Sequence, residues 1–476
     1  MRGRSARRVR SSLGARAKAV SETREDFEAR LARTLRTASP RKTSAQAAPA
    51  PEALVPPAPA PETPAALPEW YTRRMSRGSI AHAPTPVTPA AGTGPNAPRT
   101  TRGMPEGLAT ESNARGEFGV RIERFPAEFV HGSAALGEVL TADGSQLSVL
   151  TGDASLREFD PRQATFLDIE TTGLSGGAGT QVFQVGLLTY EGAGFELWQG
   201  FLRSPAEAPA LLEACAARVR RRGALVSFFG KSFDRHRLED QMRLHGVEPS
   251  FAGRPHLDLY HPCRRLYGKR FVDGRLATME RELCGVEREK DLPGAFAPAA
   301  WFDFLAGRAH ALEAVFLHNR IDVLSLVRLC SHVARVLDDD LAERKDLAQI
   351  RAEALTVLFA TRRDWLRVLE WSARALDENS RARPTLAFRA RALQRTGHFP
   401  EALALFEQVA SSARDGLAAE AWAEVSVLAC RLGELDRAQL ACGSGESMAS
   451  VTLAGTRRAR LDHKLLRVRS NLAKGR

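Results

Sequence analysis

Between residues 164 and 203 the chain alternates three apolar runs with short Gly-containing turns. "ATFLDIETTG", "TQVFQVGLLTY" and "GFELWQGFLR" are rich in β-branched and aromatic residues, which predicts three strands of an antiparallel meander. "PALLEACAARVRRR" then switches to helical spacing. "ALVSFFG" reads as a buried strand, "RHRLEDQMRLHG" as a helix closed by Gly246, and "HLDLY" as another short strand. Helical segments follow, ending with "ALEAVFLHNRIDVLSLVRLCSHVARVL". Upstream, "RIERFPAEFVHG" and "QLSVLTG" read as short leader strands or loops, with order starting near residue 118. Three strands, a helix, a strand, a helix, a strand and then helices predict an α/β domain with a mixed, helix-covered sheet.

From about residue 345 the pattern is wholly helical. "RRDWLRVLEWSARAL" overlays "TGHFPEALALFEQVA" at an offset of 34 residues, pairing Trp365 with Phe399 and Trp371 with Leu405. "LGELDRAQLAC" restarts the pattern at Gly433, 36 residues after Gly397. A period near 34 resembles tetratricopeptide repeats, in which helix pairs stack because none can bury its apolar face alone. A plain helical bundle is the alternative.

Composition sets the first hundred residues apart. "APAPEALVPPAPAPETPAALP" offers little to bury and much proline, so it reads as disordered. The net charge is +12, and residues 1–50 carry 13 Lys/Arg against 4 Asp/Glu. That arm is either a solvated tail or a loose contact for phosphate backbones. The six cysteines show no metal-ligand or CxxC spacing, which suits thiols in a reducing compartment such as the cytoplasm. No apolar segment reaches the ~18 residues of a transmembrane helix, so no membrane partner is expected.

The candidate chemistry begins at "FLDIETTGL". Asp168 and Glu170 are two apart on a predicted strand, so both carboxylates leave the same face. Two like charges in an apolar setting repel each other, and a divalent cation relieves the conflict; hard oxygen donors suit Mg2+ or Mn2+. Two more acids lie downstream. Asp234 follows a strand in "FFGKSFDRHRL", and Asp322 lies on a helix in "LHNRIDVLSL", with His318 one turn earlier on the same face.

This set, in this order, resembles the DEDD superfamily of 3′–5′ exonucleases. It is similar above all to its bacterial YprB-like branch, through "FLDIETTGLSGGAGT", "SFFGKSFD", "HLDLYHPCRRLYG", "GRLATMERELCGVEREKDLPG" and "HNRIDVLSL". The resemblance implies a ribonuclease H-like fold over residues 118–337, preceded by a disordered tail (1–117) and followed by tetratricopeptide-like repeats (345–476). It implies a hydrolase cutting phosphodiesters of single-stranded DNA or RNA, with two Mg2+ or Mn2+ ions held by Asp168, Glu170, Asp234 and Asp322. His318 would be the general base, spaced as in the family's Tyr subtype. Relatives usually have Asn where this chain has Phe229, and an apolar or Pro-containing step where it has Arg235-His236-Arg237. Lys231, Arg235, Arg264 and Arg265, with Lys269 beside them, are candidates for substrate phosphates; a solvated face is the alternative for the last three. Asp258 is either a further cleft acid or a strand-end group bonded to amides. Phe228-Phe229 reads as buried strand, and "GLSGGAGT" as a flexible turn beside the site. The helical repeats would dock a protein partner or orient the strand. The competing reading is a weak or inactive nucleic-acid-binding scaffold acting through those repeats.

Overall fold

The computed structural model describes residues 104–476 apart from 174–179, 269, 290, 291, 293, 309, 310, 339, 340, 342, 379, 380, 475 and 476. The expected disordered tail (1–117) lies outside the described residues up to position 103, as does most of the "GLSGGAGT" turn; the tail's last part is corrected by the structure, since residues 109–113 and 116–117 are strand and order begins before residue 118.

The predicted meander is present as β5 (Ala164–Thr171), β6 (Val182–Glu191) and β7 (Gly194–Phe201), all antiparallel. Two parallel strands, β8 (Ala224–Ser227) and β9 (His256–Asp258), extend the other edge of β5. The sheet is wider than expected. β1 (Ala109–Asn113) and β2 (Gly116–Pro126) form a hairpin that pairs with β7, giving the order β1-β2-β7-β6-β5-β8-β9. The "RIERFP" stretch is thus full strand rather than a leader. A small pair, β3 (Val130–His131) and β4 (Ala134–Ala135), follows it.

"QLSVLTG" also departs from expectation: it lies in helix α1 (Gly144–Thr151). Asp143 caps the helix by accepting from Ser145 N, Gly152 closes it at φ 79°, and Leu147 and Leu150 are buried at helical spacing. Helices α2 (Ala208–Arg220) and α3 (Asp234–Leu244) cover one face of the sheet through Leu211, Cys215, Leu238 and Met242, against Leu167, Val185 and Leu225. The other face packs Phe166, Leu188 and Val226 against α4 (Tyr260–Leu266), α5 (Leu276–Cys284) and much of α7 (Leu312–Ala334), which follows α6 (Ala297–Leu305).

Among the described residues seven helices follow: α8 (Lys345–Arg362), α9 (Trp365–Glu378), α10 (Arg383–Thr396), α11 (Phe399–Ser411), α12 (Gly416–Arg431), α13 (Leu435–Thr452) and α14 (Gly455–Leu472). The first pair shares the sheet's core through Leu355, Phe359, Val368 and Trp371. The 34-residue offset is structural: α9 and α11 begin at Trp365 and Phe399, and Val368 and Ala402 are both buried. The link before each second helix needs a left-handed residue. Gly397 (φ 92°) and Gly433 (φ 80°) supply it, but the matching position before α9 is Arg363 (φ 60°), which is exposed. A side chain in that conformation costs about 1–2 kcal/mol. Arg363→Gly therefore stabilises the protein by about 1 kcal/mol in urea unfolding, while Gly397→Arg destabilises it by at least as much.

Candidate active site

Alternation along β5 puts Phe166, Asp168 and Glu170 on the face beneath α7, and Leu167 and Ile169 on the opposite face. The apolar layer begun by Phe166 thus gives way to two acids. α7 brings His318 and Asp322 over them. His318 Nε2 lies 3.9 Å from Glu170 Oε1 and 3.5 Å from Asp322 Oδ2, so the imidazole spans both carboxylates. Asp234 heads α3 after the tight turn that follows β8. Gly230 makes that turn: a Cβ there would sit 2.9 Å from Asp234 Oδ2 and closer still to Ser227.

Electrostatics shows how crowded the four acids are. Burial first, then the Asp322 carboxylate, pushes Asp168 up to about 7. Burial and Asp168 lift Glu170 well above the ordinary carboxylate range. Asp234 rises too, through burial and then the charges of Asp168, Asp258 and Asp322. Each raised carboxyl feels the charge of at least one other member, so Asp168, Glu170, Asp234 and Asp322 share one field.

Residues 165–334, running from β5 to the last residue of α7, match the model of the RNase_H superfamily. This segment is a ribonuclease H-like domain. Over 221 residues the chain is also 32% identical to the uncharacterized protein YprB of Bacillus subtilis (strain 168), covering 45% of this chain and 53% of that protein. The chain thus spans about half the length of the curated relative it matches.

Several residues of the ribonuclease H-like domain that build the site carry no signal in sequence. Asn319, fully buried on α7, donates to Asp168 Oδ2 at 2.8 Å and accepts from Gln199 Nε2 at 3.0 Å. It crosses over Gly186, which pairs with Asp168 on one side and Gln199 on the other. A Cβ on Gly186 would collide with the Asn319 amide, so glycine is the residue that lets α7 approach. Gln184 pairs with Glu170, is fully buried, and its amide finds no hydrogen-bond partner among the described residues. Arg288 is the site's guanidinium. It donates to Asp322 Oδ1 and to both oxygens of the fully buried Glu280, and its NH1 is 3.4 Å from His318 Nδ1. Burial lifts the Glu280 carboxyl, and the Arg288 fork opposes that lift.

Asp258 is bonded to backbone amides, and its charge also reaches Asp234. It accepts from Phe229 N (2.7 Å), Lys231 N (3.1 Å) and Tyr260 N (3.1 Å), fixing the loop that carries Gly230 and Asp234. In that loop Phe229 has φ 65°, a conformation in which Asn is common and Phe rare. Backbone geometry alone would favour Asn over Phe at this position. Phe228 and Phe229 are both half-buried and pack edge-on against Tyr260.

The basic candidates are each held by a partner other than the four acids. Lys231 Nζ is 3.4 Å from Asp153, Arg235 Nε donates to Glu239 at 2.7 Å, Arg264 donates to the Tyr260 hydroxyl at 2.6 Å, and Arg265 donates to Leu150 O at 3.0 Å. Lys269 lies outside the described residues.

A raised carboxyl binds more protons folded than unfolded, so it stabilises at low pH and that stability is lost as pH rises to the folded value. In chelator, the protein is expected to lose stability between about pH 4 and pH 7, over the interval between the ordinary Asp value and the raised Asp168 value. Asp168→Asn flattens that decline and raises the melting midpoint at pH 8 by about 2–4 °C per kcal/mol of repulsion removed. Melting curves across pH in EDTA check this.

Proposed function

We propose that the chain is a divalent-metal-dependent nuclease, a 3′–5′ exonuclease acting on single-stranded DNA or RNA. The observation that carries this reading is the convergence of four acids, Glu170 and Asp234 buried and Asp168 and Asp322 half-buried, on one shared field, an arrangement that is costly until a cation neutralises it. The donors are hard oxygens, which fit Mg2+ or Mn2+. Asp168, Glu170, Asp234 and Asp322 would hold two such ions. When bound, the ions supply Lewis acidity at the phosphodiester and lower the pKa of water toward neutrality.

The chain's own residues do the positioning. Asn319 fixes one oxygen of Asp168, and Arg288 fixes one oxygen of Asp322. His318 would orient the attacking water or take its proton. With Arg288 donating toward Nδ1, the neutral ring carries its proton on Nε2, facing the acids. That tautomer orients; the base role requires the proton on Nδ1. The product would be a nucleoside 5′-monophosphate or a short oligomer.

Three clefts on the helical region, which we read as tetratricopeptide-like, support a polyanionic substrate. Arg391 and Arg395 line the first; Arg391, Arg460 and Lys464 the second; and Arg460, Lys464, Arg431 and Arg467 the third, so neighbouring clefts share basic residues. Arg391 and Lys464 are held at Glu424, at 3.0 and 2.5 Å, and Arg431 stacks 4.0 Å over Phe399. Lys231, Arg235, Arg264 and Arg265 would add phosphate contacts nearer the acids. Among the described residues no helix is long and apolar enough to cross a membrane.

The second reading, a nucleic-acid-binding scaffold acting through the helical region, has one observation in its favour. Among the described residues, no three His, Cys, Asp or Glu side chains are arranged as they stand to hold one ion.

Incubation of end-labelled single strands with Mn2+ separates the two. Stepwise shortening from the 3′ end, abolished by Asp168→Asn and Asp322→Asn, is expected; intact strands with bound protein would favour the scaffold. For the clefts, Arg460→Glu with Lys464→Glu is expected to weaken single-strand binding about tenfold or more and to reduce the slope of log K against log salt by about two. Fluorescence anisotropy at several salt concentrations reads both.

A further inference from the structure

We propose that the buried Glu280–Arg288 pair positions the metal-binding acids, holding Asp322 and His318 in the orientation in which the site receives its ions. This inference rests on the metal-dependent reading above and gives a role to Arg288 in the "GVERE" stretch, residues 285–289.

Arg288 is placed by a pinned backbone. Gly285 closes α5 in the left-handed conformation, Val286 is buried, and Val286 N donates to Glu280 O at 3.3 Å. Cys284 O meanwhile accepts from Ser133 N at 2.8 Å. Two residues beyond Val286, the guanidinium is 12% exposed and the Glu280 carboxylate not at all. Nε and an NH2 proton take the two Glu280 oxygens; the same NH2 also takes Asp322 Oδ1, and NH1 points at His318 Nδ1.

A cation beside carboxylates has two possible roles. It either neutralises them until a metal displaces it, or it stays and orients them. Glu280 decides between these. If Arg288 left, a fully buried carboxylate would lose its bidentate cation and keep, among the described residues, only the neutral hydroxyl of Ser325. Arg288 therefore stays when the ions bind. Its charge is matched by Glu280, so the pair adds little net repulsion toward incoming cations. By holding Asp322 Oδ1 it leaves Oδ2 free to face the cluster, on the side of His318 Nε2 and Glu170. This is how outer hydrogen bonds orient metal ligands, and losing them typically costs 10–100-fold in affinity.

Mn2+ titration of the full chain, followed by electron paramagnetic resonance of the free ion, tests this. Wild-type protein is expected to bind Mn2+, and Arg288→Met to bind it about 10–100-fold more weakly. Glu280→Met combined with Arg288→Met strands no charge at position 280 and leaves only the half-buried Asp322 without its cation; it is expected to melt closer to wild type than Arg288→Met does and to show the same loss of affinity. Arg288→Lys, which reaches one partner at a time, should fall between. If the double variant folds and binds Mn2+ as tightly as wild type, or more tightly, the positioning role is wrong. If the double variant does not fold, wild-type affinity in Arg288→Lys overturns it equally. Failure of the wild-type protein itself to bind Mn2+ would instead remove the metal-dependent reading, and this inference with it.

Discussion

The structure is organised around the repulsion between carboxylates that the fold forces together. Asp168 and Glu170 leave β5 on one face, Asp322 descends from α7, and Asp234 comes from the start of α3. Glu170 and Asp234 are buried and the other two half-buried, and three of the four are lifted above the ordinary range by burial and by the charges of the set. Apolar residues in these places would make a more stable domain. The charges are retained at a cost, as expected where a site is built for chemistry.

The surrounding structure holds that repulsion in place. The five strands β7-β6-β5-β8-β9 put both acidic strand ends and the β8–α3 turn at one end of the sheet. Gly186 lets α7 sit close enough for Asn319 to bridge Asp168 and Gln199. Asp258 gathers three backbone amides to shape the turn before Asp234. Glu280 and Arg288 bring a matched pair of charges to the edge of the cluster. Loss of either partner would leave a buried charge, worth about 3–5 kcal/mol. The match to the RNase_H superfamily spans this machinery, from β5 to the end of α7.

How much of this was legible in the sequence depended on range. The DxE pair was readable because strand alternation fixes which residues share a face, and the His318–Asp322 pair because a helical turn does. The 34-residue echo survived as matched helix starts at Trp365 and Phe399. "QLSVLTG" was misread because its β-branched and aliphatic residues outweighed better signals, the Asp143 cap and the Gly152 stop. The β1–β2 hairpin was underestimated because its partner, β7, lies some eighty residues away. Asn319, Gly186, Gln184, Glu280 and Arg288 were not legible at all. Each matters only through a neighbour brought by the fold, and an isolated Asn, Gly, Gln or Arg has no local pattern to announce it.

The central claim is that the four acids exist to hold divalent ions together. Crystals grown with Mn2+ and measured at the manganese absorption edge test it most directly. The account predicts anomalous density among Asp168, Glu170, Asp234 and Asp322 that vanishes in Asp168→Asn. Manganese density elsewhere on the molecule, or none with the carboxylates well ordered, would contradict it.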